Sequence, residues 1–504
     1  MKAFLMYKDQ DFDLQRKLPS NEQALTQDLE LNRLFNAMAL GDKFLFEVAK
    51  KAVLSSVTDL DTIRYRQHIL KDCLNNASIV RDIYAIAVES IESEKKNYFG
   101  MFFRDYPDAI LRRSVEVLQM FVGMLKKLRH IADEHAHTFE SEGFTAFFTM
   151  LNKELDDDYF AAVQNHLKEL KFRDGVLISA ELGQGNKGVN YILRQPPDKK
   201  QNWMERIFAE KPPAYTFYIA DRDESGARAL SALKDRGINL VANALAQSTD
   251  HILSFFTLLR TELAFYVGCL NVHGQLVQRG EPVSFPLPMA SDERRHAFEG
   301  LYDICLALTL NQRIVGNEVH ADGKDLVIIT GANQGGKSTF LRSIGLAQLM
   351  MQCGMFVPAE SFCANVCESL FTHYKRKEDV TMKSGKLAEE LSRMSDIVDQ
   401  ITSNSLVLFN ESFAATNERE GSEIARQIMN ALLEKHIKMF FVTHLYEFAH
   451  SFSAQKMGNA MFLRAERQSD GRRTFKVIEG EPLQTSYGED VYHRIFGTDN
   501  ETHA

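Results

Sequence analysis

Between residues 20 and 170, apolar side chains return every three or four positions, the spacing that gathers them on one face of a helix. Leu29, Leu31, Leu34, Phe35 and Met38 form one such stripe, and Val115, Leu118, Phe121, Val122, Leu125 and Leu128 form another. Both predict helices that turn this face to a core. Near residue 175 the pattern changes to short β-branched and aromatic runs, and 176–180, 191–193 and 215–219 read as strands. Residues 183–188 match G-x-G-x-x-G, but a dinucleotide site needs a helix opening at its end, and an apolar run follows instead. A hairpin turn is predicted. The polar stretch 196–213, with paired prolines at each end, reads as a loop. Helical spacing resumes at Asp223 and runs with interruptions to about Gln278. Its most apolar part, 252–270, carries Arg260 and Glu262, which predicts a buried helix rather than a membrane span. Gly280, Glu281 and Pro282 close it, 285–288 reads as a linker, and strands and helices alternate from 289 to 504.

A length of 504 residues allows two or three domains with ample core. The net charge of −9 excludes a generally basic surface, so a nucleic-acid partner requires basic residues gathered locally. Lys95, Lys96, Arg112, Arg113, Lys126, Lys127, Arg129, Lys199 and Lys200 are available, although such pairs are ordinarily solvated. The six cysteines are scattered, and Cys353, Cys363 and Cys367 make no C-x-x-C pair. Buried, reduced thiols are expected there rather than a metal site. Residues 1–6 are too short an apolar run for a signal peptide, so a soluble, cytoplasmic protein without a membrane span is expected.

The chemistry concentrates in the C-terminal half. Residues 331–338 read G-x-x-x-x-G-K-S, preceded by the apolar run 326–329 and followed by a helical run, 339–351. Glycines 331, 335 and 336 let the backbone turn tightly, so that the N–H groups of Ala332, Asn333, Gln334 and Thr339 and a helix N-terminus face a polyphosphate. Lys337 is placed to reach the β- and γ-phosphates and the Ser338 hydroxyl to ligate Mg²⁺. ATP and Mg²⁺ are the expected cofactors. A second apolar run, 405–409, ends in Asn410 and Glu411, the placement of a Walker B pair. Glu411 stands where a general base belongs. Asn410 stands where an aspartate is usual, which predicts weaker metal binding and slower turnover. A third run, 439–443, ends in His444, near the γ-phosphate if the strand is parallel.

Together these residues resemble the ATPase domain of the MutS family of DNA mismatch repair proteins. The family's T-G-x-N-x-G-G-K-S-T loop is matched by residues 330–339, and its G-x-x-V-P-A segment by 354–359. The Walker B glutamate with its following Thr and Gly is matched by Glu411, Thr416 and Gly421. Its Thr-His switch is matched by Thr443 and His444, and its closing Ser-Tyr-Gly by 486–488. More faintly, 58–67 is similar to a stretch of the family's core domain. The resemblance implies a mixed fold. Residues 1–285 are then a mainly helical core and lever region with a small β clamp at about 173–220, and residues 286–504 an α/β P-loop (ABC-type) ATPase domain ending in a dimerisation segment. It implies a homodimer in which a signature loop reaches the partner's nucleotide. Here that loop is altered, and Ser384 and Lys386 are its candidates.

The stretch before the core-like part is too short for the family's mismatch-reading and connector domains, and the branch with a Smr nuclease tail is not the expected one. The first reading is therefore a slow ATPase that closes as a clamp on structured or damaged DNA in repair or recombination. An ATP-dependent assembly protein, or an RNA- or ribosome-binding ATPase, is the alternative.

Overall fold

The computed structural model describes residues 1–98, 106–173, 175–195, 215–310, 312–376, 385–468 and 472–484. Helices come first: α1 (Glu22–Asp28), α2 (Leu31–Ala39), α3 (Lys43–Leu54), α4 (Leu60–Asn75), α5 (Ala77–Tyr98), α6 (Pro107–His135), α7 (Glu142–Glu154) and α8 (Asp157–Glu169). The hairpin β1 (Leu177–Leu182) and β2 (Gly188–Arg194) precedes the long α9 (Glu224–Gln278). Strands and helices then alternate: β3 (Leu287–Met289), β4 (His296–Leu301), α10 (Ile304–Thr309), β5 (Asn317–His320), β6 (Leu326–Gly331), α11 (Lys337–Gln352), β7 (Ser361–Asn365) and β8 (Leu370–Tyr374). They continue through α12 (Lys386–Gln400), β9 (Leu406–Asn410), α13 (Glu418–Glu434), β10 (Lys438–Val442), α14 (Tyr446–Ala454), β11 (Ala460–Arg467) and β12 (Arg473–Glu479). Local chemistry starts several of these helices. The carboxylates of Asp42, Asp59 and Asp156 accept from backbone N–H groups in the first turns of α3, α4 and α8.

One compact unit comprises Met1–Ala3, Arg81–Phe139 and Thr145–Arg260. Its α6 stripe from Val115 to Leu128 is buried as the spacing predicts, with Phe121 packed on Phe256 at 5.6 Å between ring centres. Residues 183–188 do form a hairpin turn: β1 and β2 pair antiparallel, and Gly185 takes φ 69°. The strand expected at 215–219 is not there. That segment is irregular, and Tyr215, Phe217 and Tyr218 are exposed. Aromatic residues favour a strand only beside a partner that covers them, and among the described residues β1 and β2 pair only with each other.

The other unit comprises Phe4–Val80, Glu140–Phe144 and Thr261–Ala504. It holds a six-stranded sheet in the order β12-β11-β6-β10-β9-β8, in which every neighbouring pair is parallel except β11–β12. A second sheet runs β3-β7-β4-β5. β6 and β10 are buried along their whole length, as the central strands of a parallel sheet covered on both faces must be. On one face Phe409 and Phe441 stack at 5.0 Å, continued by Phe413, Met429 and Phe448.

The α9 helix is unbroken over 55 residues, where the sequence suggested interruptions. By length and composition it is apolar enough to cross a membrane, but 67% of its most apolar window is buried inside the protein. Glu262 there accepts from the backbone N–H groups of Leu5 (2.6 Å) and Phe12 (3.2 Å), tying down the N-terminal segment. Burial pushes its carboxyl up to about 7 against those hydrogen bonds. The folded chain therefore holds this proton more tightly than the unfolded chain. Stability is expected to fall as pH rises from the ordinary carboxyl value to about 7, by on the order of 3 kcal/mol, and to level off above it. Denaturant titrations should show a smaller pH slope for Glu262→Gln, and an unchanged slope would count against this origin.

Candidate nucleotide site

The parallel register sets Ile329, Val442, Asn410 and Tyr374 side by side in neighbouring strands. The segments that leave β6, β10 and β9 therefore emerge at one edge of the sheet, where ligands of open α/β sheets bind. From β6 comes the glycine-rich turn, with Gly331 at φ 108° and Gly336 at φ 86°. A β-carbon on Gly331 would lie 2.9 Å from the Ala465 nitrogen, so this position is closed to side chains twice over. Asn333, Gln334, Gly335, Gly336, Lys337, Ser338 and Thr339 line a pocket of about 450 Å³, while Gly331 and Ala332 are outside its lining.

Lys337, only 5% exposed, donates from Nζ to the carbonyl oxygens of Gly331 and Ala332, both at 2.9 Å. Burial pushes its ammonium down to about 8, opposed by the nearby Glu411 carboxylate. The Ser338 hydroxyl donates to Asn410 Oδ1 at 2.9 Å. Two oxygen donors placed together suit a hard cation, and neither carries charge, so the residues fit Mg²⁺ as a weak protein contribution to its shell. Glu411, φ 53°, follows β9 and lines the same pocket. Its Oε1 lies 2.9 Å from Nε2 of His444, which donates because a carboxylate only accepts. That hydrogen bond holds the Glu411 carboxyl below its usual range.

Not every sequence candidate is drawn together. Lys386 opens α12 on the surface, outside the pocket lining, and Ser384 lies outside the described residues, as do 486–488, Lys199 and Lys200. Several basic candidates are already engaged: Arg112 with Asp108 (3.0 Å), Arg113 with Glu94 (2.6 Å), Lys127 with Glu89 (2.9 Å) and Arg129 with Asp133 (2.8 Å). Lys126 lies over the Phe160 ring.

The pocket also has walls that the motifs did not announce. Leu306, Leu310, Ile314 and Phe475 give it an apolar side, with Tyr302 and Arg313 beside them. Asp303 caps α10 by accepting from Leu306 N, and Arg342 of α11 holds the same carboxylate at 2.5 Å. This pair seats the Leu306 wall against the helix that follows the glycine turn. Phe475, φ 59°, reaches the pocket because β12 is anchored through Asn317, whose Oδ1 accepts from Val477 N at 2.7 Å. No spacing rule links residues so far apart in sequence, so no signal short of the fold identifies this wall.

Fold and site define a mixed helix-and-sheet protein in which a glycine-rich turn, a lysine and a glutamate hydrogen-bonded to a histidine meet at one pocket. Residues 58–279 match the MutS2 N-terminal domain family, and residues 327–498 match MutS domain V. The chain belongs to the MutS family. It is 31% identical over 210 residues to the DNA mismatch repair protein MutS of Thermotoga maritima, covering 41% of this chain and 26% of that protein. It is 28% identical over 324 residues to that of Parabacteroides distasonis, covering 59% and 35%. With human MutS protein homolog 4 it shares 27% identity over 197 residues, 38% of this chain and 21% of that one. The chain thus spans about a fifth to a third of the length of these relatives.

Proposed function

We propose that the C-terminal α/β part is a P-loop ATPase of ABC type that drives a homodimeric, cytoplasmic clamp between open and closed states on structured or damaged DNA. The observation that carries the reading is that Lys337, Ser338 and Glu411 line one pocket with an apolar wall, with Asn410 hydrogen-bonded to Ser338 and His444 to Glu411. In this reading the triphosphate lies along the N–H groups of residues 331–339, and the purine ring lies against Leu310, Ile314 and Phe475. Lys337 leaves the Gly331 and Ala332 carbonyls to pair with phosphate. Ser338 and Asn410 hold Mg²⁺, which when bound neutralises phosphate charge. Glu411 orients and deprotonates the attacking water, and His444 holds the carboxylate in place. The absence of a second carboxylate at position 410, together with Glu411 stabilised as the ion, supports slow turnover. Lys386 and Ser384 are assigned to the partner's nucleotide across the dimer.

The names of the relatives, all of the MutS group, support DNA as the partner. The chain should therefore be titrated against duplex, branched and single-stranded DNA and structured RNA, with ATP and with ADP. Branched or duplex DNA is expected to bind best, with affinities that differ between the two nucleotides. Binding should fall with salt by a slope of about −0.9 for each phosphate contacted. Uniformly flat DNA titrations from a chain that still hydrolyses ATP would remove the DNA assignment and favour the assembly or RNA reading.

A further inference from the structure

Behind the Glu411 turn lies a buried polar group that the nucleotide site does not use. Glu411 and Phe413 both hold left-handed backbone, φ 53° and 61°, a region costly for residues that carry a β-carbon. Such a turn persists only where its surroundings hold it. Between the two, the fully buried Ser412 has its hydroxyl 2.8 Å from Nδ1 of His373 and 2.5 Å from the His373 carbonyl oxygen. His373, equally buried on β8, places Nε2 at 3.0 Å from the Glu390 carbonyl oxygen in α12. A carbonyl only accepts, so Nε2 carries the ring proton and Nδ1 accepts from Ser412, which shares its one proton with the His373 carbonyl. Burial pushes the imidazole down to about 4, so the ring is neutral at physiological pH. It stacks on Phe413 at 5.2 Å. The α12 helix and the Glu411 turn are therefore joined through His373, in a site closed to water.

We propose that His373 is a positioning residue for hydrolysis: with Ser412 it ties α12 to the turn that presents Glu411, so that a displacement of α12 changes the aim of that carboxylate. This deepens the ATPase reading above and rests on it. Lys386 opens α12 at the surface, one helical turn before Glu390. A second copy of the chain that touches this end acts on Glu411 through the buried bonds. The arrangement links assembly to turnover without any residue of the α12 end entering the pocket of its own chain.

Ser412→Ala and His373→Ala, made singly and together in the full chain, test this. Ser412→Ala removes only a hydroxyl and keeps the variant set interpretable if His373→Ala does not fold. Each is expected to lower kcat by about tenfold or more, the scale of a misaimed catalytic group, with ATP affinity within about twofold of the parent. The double variant should be no worse than the worse single, because both belong to one unit. Parental kcat in Ser412→Ala, additive losses, or ATP binding lost in step with kcat would each overturn the relay while leaving the ATPase reading standing. A parent chain that neither binds nor hydrolyses ATP overturns both.

Discussion

Replacing Lys337 with alanine is expected to weaken ATP binding by about ten- to a hundredfold, the loss of a charge-assisted contact worth roughly 1.5–3 kcal/mol. The ammonium is held among backbone carbonyls by the turn itself, so a short move exchanges the Gly331 and Ala332 oxygens for phosphate. Its burial has a second consequence. An amine pushed down to about 8 is partly neutral in mildly alkaline solution, and phosphate pairs only with the charged form. Nucleotide affinity is therefore fully present below about pH 8 and falls as pH rises through it. Calorimetry across that range checks both statements. Parental affinity in Lys337→Ala would remove the phosphate assignment, and an affinity level from about pH 7 to 9 would remove the linkage.

Glu411→Gln is expected to keep ATP binding while turnover drops by about 10²-fold or more, as when a general base is removed. The amide has the size of the carboxylate and retains an oxygen for the His444 N–H, so the turn after β9 stays in place. What it lacks is the charge that takes a proton from water. The hydrogen bond from His444 keeps the parent's carboxyl below its usual range, so it is ionised throughout the neutral range and loses its charge only in acid. Single-turnover hydrolysis beside equilibrium ATP binding separates the two effects. Undiminished hydrolysis would mean that another group positions the water.

The parts of this structure that a reader of the chain alone can see are those whose cause is local. The helical stripe of α6 and the hairpin at 183–188 follow from the order of apolar, glycine and polar residues over a few turns or strands. So does the turn from β6 into α11, because left-handed glycines and a following helix are written within a dozen residues. The strand expected at 215–219 failed for the complementary reason: aromatic residues state a preference, but only a neighbouring strand fulfils it. The 55-residue continuity of α9 is likewise decided by burial and not by propensity, since Glu262 is tolerated in its buried stretch where distant backbone N–H groups reach it.

The candidate site divides in the same way. By itself the sequence determined the order of groups that can meet a polyphosphate, Gly331 to Thr339, Asn410 and Glu411, and Thr443 with His444, each at the end of an apolar run. Only the tertiary structure decided that these ends share one edge, because strand register is a long-range property of hydrogen-bonded neighbours. The same holds for the apolar wall of Leu310, Ile314 and Phe475 and for the bond from His373 to Ser412. A phosphate-facing turn is made by consecutive backbone units and leaves its trace in consecutive residues. A pocket wall and a buried relay are made by residues that folding alone brings within hydrogen-bond and van der Waals reach, and no period or spacing in the chain records that distance.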